Sequence, residues 1–249
     1  MGDPVVAQLG AAGCVWAEDE AVVLRASFGP DDLPAAVDRR AAGQPLEHVV
    51  GWADFAGVRV RVVPPVFIPR PGAEPLVELT LAALEERPVA VVVDVGCGSG
   101  ALALAIAAAA PDRATVIGTD IDPDAVACAR DNGLTAHRGH LLDALPRRWL
   151  GRVDVAVAHL PYVPTSALSE IPRDYRAAET PVALDGGADG LDPLRQVLSQ
   201  LPRWLSPRGV LVTLTADRQA EGVRAVLLTA GRAGQACASV AGSTFWRIS

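Results

Sequence analysis

The sequence contains no lysine, so all 22 of its basic residues are arginine, against 29 acidic residues. The resulting formal net charge of −7 argues against broad electrostatic binding to nucleic acid or to an anionic membrane. No apolar run reaches the roughly 20 residues that a membrane-spanning helix needs, and the first residues lack the basic-then-apolar pattern of a signal peptide. We therefore expect a cytoplasmic protein that binds neither nucleic acid nor membrane.

Cysteine is also scarce, and the four cysteines lack the spacing of a metal site or a disulfide framework: Cys14, Cys97, Cys128 and Cys237. A metal site built from His137, His140 and His159 is a weak alternative, because alternation along a strand points His137 and His140 to different faces. We therefore predict no metal site. Half of the 249 residues are hydrophobic, which suffices for one large or two small domains with a sizeable core.

From Val89 onward, β-branched runs alternate with helical stretches, which is typical of a parallel α/β sheet. Strands are predicted at 89–95, 114–120, 134–138, 153–158, 209–215, 234–240 and 244–248. Helices are predicted at 100–109, 123–131, 192–204 and 217–231.

The part before these elements predicts a small helical and hairpin unit. Residues 4–43 have a helical pattern, with Asp31 or Asp32 as the cap of one helix. Alternation around a Gly/Asp-containing turn predicts a β-hairpin within 47–62, and a helix follows over 74–86. We place a domain boundary near residue 72, between an N-terminal unit (1–72) and an α/β domain (73–249).

The chain is organised around a glycine-rich turn that follows the first buried strand of the α/β region. Asp94 precedes the turn Gly96-Cys97-Gly98-Ser99-Gly100, where glycine allows backbone conformations and close approaches that a side chain would forbid. Asp120 ends the next strand, where a carboxylate can accept hydrogen bonds from ribose hydroxyls. The turn has the compact D-x-G-x-G-x-G form that is usual in proteins binding S-adenosylmethionine. A bare strand–helix turn without a ligand is the alternative.

Further motifs occur in order along the chain: Ile68-Pro69-Arg70-Pro71 with Glu74, Ala129-Arg130-Asp131-Asn132, His159-Leu160-Pro161-Tyr162, and the segment from Glu179 to Asp192. Together with the glycine turn and Asp120, they make residues from about 15 to 249 resemble the HemK/PrmC family. That family methylates the glutamine side-chain amide of a GGQ motif in peptide release factors. The sequence is most similar to a PrmC-related branch with a shortened N-terminal helical region.

The resemblance implies an α/β fold, the Rossmann-like seven-stranded sheet of class I S-adenosylmethionine-dependent methyltransferases, with a small N-terminal unit that faces the substrate. It implies S-adenosyl-L-methionine as cofactor, with its methionine end near Asp94 and the turn and its ribose at Asp120. The catalytic residues it implies are His159, Pro161 and Tyr162. The cofactor-binding residues are Arg70, Asp94, Gly96, Gly98, Gly100, Asp120, Ile121, His140, Leu141 and His159.

The sequence departs from the family pattern at three places. The hallmark N-P-P-Y is His159-Leu160-Pro161-Tyr162, and the family's G-D-L is Gly139-His140-Leu141, with Asp143 as a possible substitute at a different spacing. The family's D-T-E is Gly72-Ala73-Glu74. An asparagine amide offers one acceptor and two donors, whereas a neutral imidazole offers one of each in a different geometry. These departures concern the methyl acceptor and the adenine end of the site.

Three functions therefore stay open. The first is methylation of a glutamine amide in a release-factor-like protein. The second is a repurposed enzyme of secondary metabolism that acts on a small molecule, with His159 as base or hydrogen-bond partner, since imidazole ordinarily has a pKa of about 6.5. The third is a non-catalytic paralogue that binds the cofactor. The glycine turn and Asp120 favour cofactor binding in all three.

Overall fold

The computed structural model describes residues 2–85, 87 and 89–249. A short antiparallel hairpin, β1 (Trp52–Phe55) and β2 (Val58–Arg61), precedes the central sheet. The sheet has seven strands in the described residues: β3 (Ala90–Val95), β4 (Ala114–Asp120), β5 (Ala136–Arg138), β6 (Val153–Ala158), β7 (Leu205–Ala216), β8 (Gly234–Val240) and β9 (Ser243–Ile248). Their spatial order is β5-β4-β3-β6-β7-β9-β8. The first five in this order run parallel, and β9 pairs antiparallel with both neighbours.

Four helices precede the hairpin: α1 (Pro4–Ala11), α2 (Ala17–Ser27), α3 (Leu33–Ala41) and α4 (Leu46–Val50). They enclose a separate apolar cluster that includes Leu9, Leu24 and Val37. The predicted cap of α3 is wrong, because Asp32 has helical backbone angles and makes no side-chain hydrogen bond to the helix. A cap residue needs an extended backbone to reach the N–H groups of the first turn, and Pro34 in that turn has no N–H to offer.

Six helices follow: α5 (Pro75–Leu84), α6 (Ala101–Ala109), α7 (Pro123–Asp131), α8 (Arg173–Ala178), α9 (Asp192–Trp204) and α10 (Ala220–Thr229). Alternation along the strands divides the sheet's apolar side chains between two faces. Val92 packs on the face covered by α5, α6 and the hairpin, whereas Val93 packs on the face covered by α9 and α10. Within the described residues, no helix is long and apolar enough to cross a membrane.

The predicted strands and helices of the α/β region agree with the structure to within a few residues. The predicted end of α5 at Glu86 lies outside the described residues. Helix α4 occupies the start of the predicted hairpin, because Gly51 adopts a left-handed conformation (φ 82°) and ends the helix just before β1. The segment between β6 and α9, for which no elements were predicted, contains α8 and short 3-10 helices at Thr165–Glu170 and Pro181–Ala183.

A single amide joins the hairpin to the glycine turn. The backbone N–H of Arg61 donates to Asn132 Oδ1 at 2.8 Å, and Asn132 Nδ2 donates to the carbonyls of Arg61 and Ser99 at 2.8 and 2.9 Å. The hairpin residues Phe55 and Val60 belong to the same apolar cluster as the strands of the sheet. The domain boundary near residue 72 stays a prediction.

We expect Asn132→Ala to destabilise the protein by about 1–3 kcal/mol, because it leaves several backbone groups without partners. Asp131→Ala at the same helix end is the matched control. It removes an ion pair with Arg61 whose side chains are 52% and 60% exposed, so its cost is within about 1 kcal/mol. Urea unfolding measures both. Equal midpoints for the two variants would contradict this role of the Asn132 amide.

Candidate functional site

A cavity of about 670 Å³ lies along the carboxyl edge of the sheet. Residues that follow four adjacent strands contribute to its wall: His140 after β5, Asp120 and Ile121 at the end of β4, the glycine turn after β3, and His159 after β6. The volume falls within the range of about 300–1,000 Å³ that small-molecule sites occupy. Because parallel strands are about 4.8 Å apart, the strand order arranges these groups in a row.

The glycine turn forms the middle of the cavity wall. Gly96 and Gly98 have φ values of 75° and 53°, and a Cβ atom added to either would meet no protein atom within 4 Å. The space beside them is therefore open to a ligand that contacts the backbone. Gly100 is different: it is the N-cap of α6 with φ 84°, and an added Cβ would lie 3.1 Å from Leu134 Cδ2. Its place in the structure is explained by helix packing.

Asp94 lies beneath the turn and is only 1% exposed. The backbone N–H of Ala103 in α6 donates to its Oδ2 at 3.2 Å. Burial raises the pKa of Asp94 to about 7, the hydrogen bond from Ala103 opposes this, and the negative charge of Asp120 adds to it. The carboxyl group is thus balanced between its neutral and charged forms near neutral pH.

Both carboxylate oxygens of Asp120 are oriented by backbone N–H groups. Gly98 donates to Oδ2 and Asp122 donates to Oδ1, each at 2.9 Å. Burial raises the pKa of Asp120, while these hydrogen bonds lower it. Each carboxylate oxygen keeps a further lone pair, so the group can still accept two hydrogen bonds from a ligand.

The end of the cavity beside β5, which is called the far end below, combines apolar and imidazole groups. Ile121 is 48% exposed and, with Leu141, presents an apolar wall. Leu141 has a left-handed backbone (φ 51°), which is unusual for a leucine. His140 is exposed and is bonded through both ring nitrogens to glutamines of α9, Gln196 and Gln200. Sequence reasoning missed both glutamines, since helical spacing alone does not reveal a partner 56 or more residues away.

At the opposite end, His159 is half-buried between two aromatic rings. Phe67 meets it edge-on with ring centroids 5.5 Å apart, and Tyr162 stacks at 6.0 Å. Burial and, to a smaller extent, the positive charge of Arg70 together lower the pKa of His159 to about 4. The ring is therefore neutral at physiological pH, and its nitrogens have no hydrogen-bond partner among the described residues.

Arg70 is held by a buried acid that sequence reasoning placed in a motif but gave no role. Glu179 is 4% exposed, and its Oε1 accepts from Arg70 at 2.6 Å and from the backbone N–H of Ile68 at 3.0 Å. The guanidinium group also lies over the rings of Phe67 and Tyr175, 4.7 and 4.0 Å from their centroids. These contacts fix the loop that carries Arg70 next to His159.

Gln219 anchors the loop through Pro161 and Tyr162 by a hydrogen bond to the backbone of Tyr162. Its Nε2 donates at 2.9 Å to the carbonyls of Tyr162 and Asp189. A Cβ atom at Gly190 would lie 2.2 Å from the Tyr162 carbonyl oxygen, so only glycine permits this approach. Gln219 stands far from every motif in the sequence, and nothing in its local pattern indicates this role.

Other acidic residues near the site have structural roles. Asp185 accepts from the backbone N–H of Gly187 at 2.9 Å, and Asp189 pairs with Arg195, which lowers its pKa to about 2. Glu74 Oε1 accepts from the backbone N–H of Ala56 at 3.0 Å and so holds the hairpin. Asp143, which the sequence offered as a substitute for the family's aspartate, does not line the cavity, and its Oδ1 accepts from Trp204 Nε1 at 3.0 Å.

The predicted site residues therefore share one cavity, apart from Gly100: Arg70, Asp94, Gly96, Gly98, Asp120, Ile121, His140, Leu141, His159, Pro161 and Tyr162. Within the described residues, no group of three or more His, Cys, Asp or Glu side chains could hold a metal ion.

Known proteins with similar sequences and folds agree with this architecture. A profile of the ribosomal protein L11 methyltransferase family (PrmA) matches residues 72–160. Among solved structures, the ribosomal protein L11 methylase of Lactobacillus delbrueckii subsp. bulgaricus superposes with a TM-score of 0.54 at 19% identity, covering 76% of this chain and 84% of that one. The fold and the methyltransferase relatives together define an S-adenosyl-L-methionine-dependent methyltransferase of class I.

Closer relatives identify the family. The release factor glutamine methyltransferase of Moorella thermoacetica is 40% identical over 197 residues, which are 76% of this chain and 68% of that protein. That of Geobacter sulfurreducens is 36% identical over 206 residues, 79% of this chain and 70% of the relative. The chain belongs to the release factor glutamine methyltransferase (HemK/PrmC) family.

The raised pKa of Asp94 predicts a pH-dependent stability. The folded protein keeps a proton on this carboxyl group that the unfolded chain releases above about pH 4, so the group destabilises the fold increasingly as the pH rises towards about 7. We expect Asp94→Asn, measured without ligand, to raise the melting temperature at pH 8 by several degrees and to have little effect near pH 4. A shift that does not change with pH would contradict the burial of a titrating carboxyl group.

Proposed function

We propose that the chain transfers a methyl group from S-adenosyl-L-methionine to the side-chain amide nitrogen of a glutamine in a release-factor-like protein. The observation that supports this most directly is the neutral imidazole of His159, which has no hydrogen-bond partner within the described part of the chain and lies at the end of the cavity next to the glycine turn. The named activity of the relatives, which are release factor glutamine methyltransferases, supports the class of acceptor.

The proposed cofactor placement follows the row of strand ends. Gly96, Gly98 and Asp94 take the methionine end, Asp120 takes the ribose hydroxyls with its free lone pairs, and Ile121, His140 and Leu141 surround the base. The open space beside the two glycines and the orientation of the Asp120 carboxylate fit this ligand. The buried carboxyl group of Asp94 and the half-buried one of Asp120 suit its positive charge. Arg70, next to His159, completes the wall near the reacting end.

The cofactor supplies a methyl group that is already activated by a positively charged sulfur. The protein's task is therefore to align the acceptor nitrogen and to keep water away. We propose that a ring nitrogen of His159 and the carbonyl oxygen of Leu160 each accept one N–H of the glutamine amide. Within the described residues, the Leu160 carbonyl accepts no other hydrogen bond. Pro161 and Tyr162 form the wall against which the amide lies.

His159 also provides a destination for the proton. An amide nitrogen that takes up the methyl group must lose one proton, and a ring nitrogen of His159 would accept it. An amide protonated on nitrogen is a far stronger acid than imidazolium, so even a histidine with a pKa of about 4 accepts that proton. The low pKa keeps the ring ready to accept at neutral pH.

The aromatic walls favour a second candidate, a small planar acceptor. Phe67 and Tyr162 border His159 with their rings, and a flat apolar molecule with one hydroxyl or amine would fit that surface. In this candidate His159 serves as base or hydrogen-bond partner for the hydroxyl or amine.

We also propose that residues 1–72 form the substrate-facing unit, with the α/β domain over 73–249. The helices α1–α4 enclose their own apolar cluster, and the hairpin and the loop through Arg70 reach the acceptor end of the cavity. A protein substrate needs such an extended surface beside the reacting group.

The cofactor placement predicts that Asp120→Asn weakens the binding of S-adenosylhomocysteine at least tenfold, because the site loses an acceptor for a ribose hydroxyl. Asp143→Asn is the control, since Asp143 lies at the same edge of the sheet but is bonded to Trp204. Isothermal titration calorimetry measures both. Similar affinities for wild type and Asp120→Asn would refute the placement.

The acceptor proposal predicts methylation of a release factor at its GGQ glutamine when labelled S-adenosylmethionine is supplied. His159→Asn should retain part of this activity, because the amide still offers an acceptor for the N–H although it is a far weaker base than imidazole. His159→Phe, which keeps an aromatic ring without nitrogen, should lower it at least a hundredfold. Calorimetry with S-adenosylhomocysteine checks that both variants still bind the cofactor. Labelling of the wild type only with small molecules would favour the second candidate, and equal labelling by His159→Phe would rule out the proposed role of the imidazole.

A further inference from the structure

A directed chain of hydrogen bonds begins at backbone groups beside the cavity. The backbone N–H groups of Leu142 and Asp143 donate to Gln200 Oε1 at 2.8 and 3.3 Å. A backbone N–H can only donate, so this end of the glutamine amide must be its carbonyl oxygen. The group that Gln200 presents to its other neighbour is therefore the NH2.

The donor-to-acceptor direction of these hydrogen bonds continues through the imidazole ring of His140. Gln200 Nε2 lies 3.3 Å from His140 Nδ1, which must accept the hydrogen bond. A neutral ring that accepts at Nδ1 carries its proton at Nε2, and Nε2 lies 2.9 Å from Gln196 Oε1. The carbonyl oxygen of Gln196 is thereby engaged, and its NH2 makes no hydrogen bond within the described residues. The backbone N–H groups of Leu142 and Asp143 can only donate. They therefore determine, through Gln200 and His140, which end of the Gln196 amide is the carbonyl oxygen and which is the NH2.

Gln196 lines the cavity at its far end, beside His140. This end lies beyond Asp120 in the direction away from His159, since the strand order is β5-β4-β3-β6. In the cofactor placement proposed above, on which this inference rests, the nucleobase occupies that end. The amide NH2 of Gln196 is a donor there, whereas the family pattern G-D-L has a carboxylate, which can only accept.

We propose that Gln196, oriented by Gln200 through His140, is a specificity-determining residue that recognises an acceptor atom on the base of the cofactor. A carboxylate at this place can only accept a hydrogen bond, so it selects for the exocyclic amino group of adenine. The NH2 of Gln196 donates instead and has no such preference. It is satisfied by a ring nitrogen of adenine or by the carbonyl oxygen of a 6-oxopurine, so the site tolerates hypoxanthine in place of adenine.

The test compares S-adenosylhomocysteine with its inosine counterpart, S-inosylhomocysteine, by calorimetry at pH 8. Wild type should bind the two with affinities within about threefold. Gln196→Glu has the same shape but replaces the NH2 with an oxygen, while His140 can still donate to its other oxygen. It should shift the ratio at least fivefold towards the adenosine compound, the effect of about one hydrogen bond.

Two controls separate polarity from other effects. Gln196→Leu should weaken both compounds by a similar factor and leave their ratio within about threefold. Gln235→Glu adds the same charge at an exposed position of β8 and should change neither affinity. A wild-type preference of tenfold or more for the adenosine compound, or an unchanged ratio in Gln196→Glu, would overturn the inference.

Nitrogen-15 NMR of the His140 ring gives an independent readout without any ligand. The proposed chain requires the neutral tautomer with its proton on Nε2, and Gln200→Leu should increase the population of the other tautomer. A proton on Nδ1 in the wild type would overturn the inference. Failure of the Asp120→Asn prediction would instead remove the cofactor placement, so the two failures are distinguishable.

Discussion

The parallel pairing of β5, β4, β3 and β6 is the constraint on which the site depends. Each strand delivers one chemical group to the carboxyl edge of the sheet, and hydrogen bonding between strands sets the distance from each group to the next. An imidazole, a carboxylate, a glycine turn and a second imidazole therefore lie in a fixed row. In the proposed placement, this row has the same order as the base, ribose, methionine and methyl acceptor.

The loops along this edge are fixed by a few polar side chains that bind backbone groups. Glu179 holds Ile68, Gln219 holds Tyr162 and Asp189, and Asn132 holds Arg61 and Ser99. Each of these links spans many residues of sequence. Because buried or half-buried backbone groups must find partners, one such side chain determines the position of a whole loop. The end of the cavity at His159 thus gains its shape from residues that do not themselves line it.

The fold and the part of the cavity wall around the glycine turn were predictable because their signals are local. The run before Asp94, the glycines after it and Asp120 at the next strand end all follow from short-range periodicity and turn chemistry. Glu179, Gln196, Gln200 and Gln219 were not predictable as partners. Their contacts are made across 30 to 111 residues of sequence, and a glutamine on a helix gives no sign of what lies opposite.

The helix cap predicted at Asp31 or Asp32 is a case in which a local sequence pattern gave a wrong prediction because of a neighbouring residue. Aspartate before a helix usually caps it, yet Pro34 removes one of the N–H groups that the carboxylate would accept. The helix is stabilised instead by the apolar cluster that it shares with α1 and α2. Tertiary packing, rather than the cap, determines where α3 begins.

The two histidines that depart from the family pattern have different surroundings. His140 is exposed and is bonded through both ring nitrogens to glutamines of α9, whereas His159 is desolvated beside the charge of Arg70, which lowers its pKa. Two carboxyl groups of the cavity wall, Asp94 and Asp120, are harder to ionise because they are buried. A cationic ligand would relieve that cost by favouring the carboxylates, so these buried acids suit a positively charged ligand.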